Sequence, residues 1–180
     1  MKKKKKQKNK TKITNIITRY AFLLLLSAKN LFVFYFIFTP LTIYPVAFFL
    51  GLFYSVKIYG IFLFVNTHAI EIIESCIAGS AYFLLFLLNL ATPNINFLRR
   101  IKIFIFDFAL LLILNIARIF ILTIMFIKGS VAFDITHFVF WHLLSVIFVF
   151  CIWLLTIKVF HVKEIPFWSD ILYFKRLIRK

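Results

Sequence analysis

The sequence predicts an all-α polytopic membrane protein, a small bundle of about four to six transmembrane helices with a short extracytoplasmic strand-like connection. Three observations predict it. Of 180 residues, 63% are hydrophobic and only 16% charged, with 26 Phe, whereas soluble domains hold roughly 45–50% apolar and 25% charged residues. Several apolar runs approach or exceed the roughly 20 residues that cross about 30 Å of hydrocarbon. The net charge of +16 flanks these runs instead of being interleaved with a polar fold, which points to membrane topology and anionic lipid and away from nucleic acid. A soluble enzyme, a disordered tail and a secreted disulfide scaffold are excluded, the last because two distant cysteines make no framework.

The elements follow in chain order. Residues 1–20 carry eight Lys, Arg19 and no acid, which predicts a disordered or surface-bound basic arm that meets anionic lipid on the cytoplasmic side. A cleaved signal peptide is disfavoured, because the apolar stretch that follows outruns an h-region and no small-residue cleavage site ends it. From Ile13 the chain becomes mostly apolar, interrupted by Lys29 and Asn30, and from Leu31 to Val56 it carries no charge. Pro40 and Pro45 are expected to break this stretch, leaving one crossing and a surface or re-entrant piece. Residues 57–75 hold Gly60, Asn66, Glu71 and Glu74 and alternate at Ile61, Leu63 and Val65, which predicts the strand-like connection.

A second span is expected from Cys76 to Leu90, closed by Ala91-Thr92-Pro93, and a basic loop over 94–102 with Arg99, Arg100 and Lys102. A third span runs from Ile103 to Ile127 and contains Asp107, Asn115 and Arg118. A loop with Lys128, Gly129 and Asp134 leads to a fourth span from His137 to Val159. The chain thus divides into a basic arm (1–20), a transmembrane domain (21–160) and a basic tail (161–180). The arm, the 94–102 loop and the tail are rich in Lys and Arg, while 57–75 and 128–136 have one Lys each and three acids between them. The excess of cations predicts both termini and the 94–102 loop in the cytoplasm and the other connections outside. Four crossings satisfy every loop, and five or six do so if parity is kept.

Polar residues inside the spans are few. Arg118 is too costly to face lipid and is expected to face the protein interior or a wet cleft; carbonyls that satisfy it structurally are the bland reading. Asn115 lies three residues earlier, on the same helical face. Cys76 opens its span, where a helix N-terminus favours a thiolate, and Ala78, Gly79, Ser80 and Ala81 leave room for close approach. Cys151 lies fourteen residues into its span, about 21 Å along a helix, and is read as packing, out of reach of Cys76. His137 opens the last span on the same outward side as Cys76, and His142 is its rival five residues deeper. A thiol, an imidazole to take its proton and a guanidinium to face an oxyanion are the parts of thiol-based acyl transfer.

Elsewhere the readings are plainer. Asn89 and Thr92 are expected to hydrogen-bond between helices, Asp107 to pair with Lys102 or Arg100, and Glu71 and Glu74 to be solvated. His68 and His161 have no partner pattern. No zinc spacing, phosphate loop or internal repeat is present, so neither a metal nor another cofactor is expected.

The segments Cys76-Ile-Ala-Gly-Ser-Ala-Tyr82 and Asn115-Ile-Ala-Arg118-Ile, with His137 and Trp141 four residues on, resemble the exosortase/archaeosortase family of membrane transpeptidases, most closely its archaeal members. The similarity extends from the Pro40–Pro45 region to Pro166–Asp170. It implies a cysteine transpeptidase that cleaves a C-terminal sorting signal (a short motif, one transmembrane helix and a basic cluster) on exported proteins at the outer membrane face, and passes them to a lipid or other anchor. In that reading Cys76 is the nucleophile, Arg118 stabilises the carbonyl or intermediate, His137 moves protons and Asn115 supports them. Ile77-Ala78-Gly79 departs from the small-residue pattern that follows the cysteine in bacterial members. The competing readings are a non-catalytic membrane assembly factor, in which Arg118 and Asn115 serve packing, and a small transporter or channel subunit built around Arg118.

Overall fold

Long runs of apolar residues can satisfy their backbone groups in lipid or in a dry core only by helical hydrogen bonding, and helices dominate the chain. The computed structural model describes residues 2–28, 31–141, 145–162, 164, 166–168, 170, 172 and 175. Their order is α1 (Lys2–Ala28), α2 (Phe32–Gly51), β1 (Val56–Tyr59), β2 (Phe62–Val65), β3 (His68–Glu71), α3 (Glu74–Ile77), α4 (Gly79–Ala91), α5 (Phe97–Ile127), α6 (Phe133–Val139) and α7 (Ser145–Val159). α2 and α5, of 20 and 31 residues, are long and apolar enough to cross a membrane; α4, 16–27 of α1 and 146–159 of α7 are shorter apolar helices. Much of the apolar surface of the long helices faces outward: Phe36 is 71% exposed, Phe48 65% and Ile113 63%. Exposed apolar surface of this kind marks a face for a membrane or another partner.

α1 already begins at Lys2, so of the two expectations for the arm, disordered or surface-bound, the disordered one is corrected: the arm is helical. Lys and Gln are good helix formers, and adding a residue to an existing helix costs little beside nucleating one. The break expected at Pro40 and Pro45 is absent, and α2 runs through both. Proline's fixed φ is helix-compatible and only the i−4 carbonyls lose donors; a continuous stripe of Phe34, Phe38, Thr42, Val46 and Leu50 is buried along α2, and this packing keeps the helix whole.

α2, α4 and α5 meet around four rings. Phe38 stacks on Tyr82 with centroids 3.5 Å apart. Phe108 meets Phe34, Phe38 and Tyr82 edge-on at 6.4, 5.5 and 5.6 Å, and it is these edge-on contacts that the ring quadrupoles favour. The strand-like connection is a three-stranded antiparallel sheet in the order β1-β2-β3, with Leu63 and Val65 fully buried. α2 packs against β1 and β2. Gly60 and Asn66, both at positive φ (62° and 53°), make its two tight turns, as the left-handed region requires.

Four further expectations are corrected. The basic loop is shorter than 94–102, because α5 starts at Phe97 and carries Arg99, Arg100 and Lys102 on its first turns. The last span does not start at His137: α6 begins at Phe133 and ends at Val139, ahead of α7. Asp107 pairs with neither Lys102 nor Arg100; it is buried and accepts a short hydrogen bond from Thr156 of α7, because it lies on the face of α5 that α7 covers. Cys151 is exposed on α7 and not a packing residue. Within the basic tail, Asp170 is buried and held by Arg19 at 3.0 Å and by the Tyr20 hydroxyl at 3.2 Å.

Candidate active site

The site is built on the polar stripe of α5. Along this helix Asp107, Leu111, Asn115, Arg118, Ile119 and Thr123 are buried, a spacing of three and four that puts them on one face. Where the stripe reaches α3, the amide nitrogen of Asn115 donates to the Cys76 carbonyl at 2.9 Å and lies 3.4 Å from that of Ile77. One turn on, Nη2 of Arg118 donates to the carbonyls of Ser75 at 3.2 Å and Cys76 at 3.1 Å. These contacts satisfy carbonyls at the end of α3 that have no partner within so short a helix, and they fix the cysteine's backbone from two directions.

Cys76 is half-buried and its thiol is free. The sulfur has the Ser75 side chain within hydrogen-bonding reach and the Arg118 guanidinium within electrostatic range. The expectation that Cys76 opens the long helix is corrected. It sits in the four-residue α3, which Ala78, at φ 61°, separates from α4. With so short a helix behind it, the macrodipole gives the thiol little, and the cation beside it is Arg118. Close approach, expected from the run of small residues, occurs at Gly79, where an added Cβ would lie 2.6 Å from the Tyr35 ring.

His137 lies in the second turn of α6. Its ring is parallel to Phe133 at 5.5 Å and 5.7 Å from Trp141, so the imidazole is held between aromatic groups one turn away on either side. Cys76, Arg118 and His137 all line a single cavity of about 260 Å³, together with Ser75, Thr123 and residues 69–72 of the β3 edge. Ile119, Leu122, Phe126, Phe133, Phe140 and Trp141 make its apolar wall. The three residues come from separate elements far apart in sequence, so their convergence is a property of the fold. The rival, His142, lies outside the described residues.

The sequence reading missed part of this lining. Ser75 lines the cavity unforeseen, and Glu71, exposed as its solvated reading expects, borders it as well. Phe126, Phe133 and Phe140 carried no signal among 26 Phe. No group of three His, Cys, Asp or Glu suited to a metal occurs among the described residues.

A second polar cluster lies at the other end of α4 and α5. Arg100 donates to the Asn89 backbone and side-chain oxygens and, at 2.9 Å, to the Thr92 carbonyl. The Asn89 amide returns a bond to the Arg100 carbonyl at 3.4 Å, so Asn89 bridges helices as expected. The Thr92 hydroxyl instead bonds within its own helix, to Leu88; at the last turn of α4 the carbonyl four residues back is the acceptor within reach. Arg19 adds the Leu90 carbonyl at 3.0 Å and Asp170.

In comparisons with known proteins, no family model, no curated protein and no solved structure matches the chain.

Proposed function

We propose that the chain is a membrane-embedded cysteine transpeptidase of the exosortase/archaeosortase type, acting on exported proteins that end in a motif, a transmembrane helix and a basic cluster. One observation carries this reading: a free thiol, an imidazole and a guanidinium from three distant segments line one cavity. His137 takes the Cys76 proton, and the thiolate attacks the scissile carbonyl. Arg118 faces the negative charge that develops on the carbonyl oxygen, while the low-dielectric wall strengthens that interaction. The amine leaves with the proton from His137, and an acceptor nucleophile resolves the thioester. Asn115 keeps the cysteine's backbone in place.

The membrane arrangement belongs to the same proposal. α2, α4, α5 and α7 make four crossings, both termini are cytoplasmic, and the sheet and cavity face outward. Two features support it. Arg19 contacts the C-terminal end of α4, so α1 stays near the cytoplasmic side and α2 alone makes the net crossing before Cys76. The three basic segments then share one side, as the positive-inside rule requires.

One observation favours a second reading. Nη2 of Arg118 and the Asn115 amide are engaged with backbone carbonyls, as they would be in a non-catalytic assembly factor. Cys76→Ala separates the two. Co-expressed with a substrate bearing the three-part tail, the variant stays inserted and processing falls to background if the enzyme reading holds; undiminished processing removes Cys76 from the mechanism.

A further inference from the structure

β3 is an edge strand of the sheet, and it runs into the cysteine-bearing helix with only Ile72 and Ile73 between them. The register fixes which of its backbone groups are used. Val65 and His68 flank a two-residue turn, and Ile72 N–H donates to the Ile61 carbonyl at 2.9 Å. The hydrogen-bonded pairs are therefore Val65–His68, Leu63–Ile70 and Ile61–Ile72, because such pairs alternate along an antiparallel ladder. By the same alternation, Ala69 and Glu71 turn their N–H and C=O groups away from β2. Both are exposed, and no backbone bond from either to another element occurs among the described residues.

The free edge borders the cavity. Ala69, Ile70, Glu71 and Ile72 line it consecutively. Successive side chains of a strand point to opposite faces, so a cavity touching four in a row meets the strand along its edge. The same cavity is lined by Ile119, Leu122, Phe126, Phe133 and Phe140, a wall suited to apolar side chains.

We propose that the peptide to be cleaved binds as an extended strand added to the free edge of β3. It pairs with the outward N–H and C=O groups of Ala69 and Glu71 and thereby brings its scissile carbonyl to Cys76. Main-chain pairing supplies affinity, and the aromatic wall reads alternate side chains. This rests on the thiol being the nucleophile.

The test uses the full chain in lipid nanodiscs and tetrapeptide chloromethyl ketones of Val and Thr, whose chloride the Cys76 thiolate displaces to form a thioether. The set differs only in which amide nitrogen is methylated, and chloroacetamide is the control. Methylation at alternate positions slows alkylation of Cys76 about fivefold, a lost hydrogen bond's worth, and methylation at the intervening position has little effect. Ala69→Pro, which removes an outward N–H that an edge strand can spare, slows alkylation by the unmethylated peptide about fivefold relative to chloroacetamide. Equal rates across the methylated set overturn pairing with β3 and leave the thiol reading standing. Failure of every reagent, chloroacetamide included, to modify Cys76 overturns both.

Discussion

Two clusters of polar residues lie about 27 Å apart along α5, the rise of the eighteen residues from Arg100 to Arg118, and their arginines behave alike. Arg118 holds the carbonyls of Ser75 and Cys76; Arg100 holds those of Asn89 and Thr92. An arginine on the carbonyls of a helix end is therefore a structural device in this molecule, used twice. The surroundings distinguish the two. At the Arg100 end the added groups are a second arginine and Asp170, which close an ion pair. At the Arg118 end they are a thiol and a histidine around a cavity with an apolar wall. The two arginines differ in the company the guanidinium keeps.

The comparison breaks most easily at the cysteines. Under the proposed topology, a membrane-impermeant maleimide applied to intact cells is expected to label Cys76, which lines the outward cavity, and to leave Cys151, exposed on the proposed membrane helix α7, unmodified. Labelling of Cys76 only after the cytoplasmic side is opened would invert the topology.

The arginines come next. Arg118→Ala is expected to slow processing about 10²- to 10³-fold, the cost of a lost oxyanion donor, whereas Arg100→Ala leaves the rate per folded molecule unchanged. Both variants lose about 1–3 kcal/mol of stability through stranded carbonyls, read by thermal unfolding in detergent. Equal loss of rate in the two would reduce Arg118 to a packing residue. Asn115→Ala sharpens the contrast at smaller scale: about 1 kcal/mol of stability and a several-fold slower rate, since the cysteine's carbonyl keeps Arg118. The smallest effect belongs to the ion pair. A double-mutant cycle of Arg19→Leu and Asp170→Leu should give a coupling of about 1 kcal/mol that shrinks as salt rises. A coupling indistinguishable from zero would mean that the C-terminal segment is not held by it.

Much of this was legible in the sequence where one physical signal dominates. Apolar run length predicted the long helices, and alternation at Leu63 and Val65 predicted the strands. The cost of a charge among apolar neighbours placed Arg118 inside, and its three-residue spacing placed Asn115 beside it. The sequence misled where two signals compete. Pro40 and Pro45 argue for a break, but the buried stripe from Phe34 to Leu50 overrides them. Asp107 has Lys102 and Arg100 close by in sequence, yet helix rotation turns it toward Thr156. Cys76 precedes a run of helix-compatible residues, and the left-handed turn at Ala78 that detaches it from α4 has no glycine to announce it. The aromatic wall was illegible for a simpler reason: in a chain with 26 Phe, no single Phe stands out.

The central claim is that the Cys76 sulfur forms a bond to a substrate acyl group in this cavity. It is tested most directly by mass spectrometry of the full chain co-expressed with a three-part-tail substrate, in His137→Ala as well as unaltered protein. A hydroxylamine-sensitive thioester is expected on the peptide containing Cys76, absent from that containing Cys151 and strongly reduced when His137 is replaced. Substrate processed in full with no acyl adduct on Cys76 in any trapping condition, or with an adduct on Cys151 alone, would contradict it.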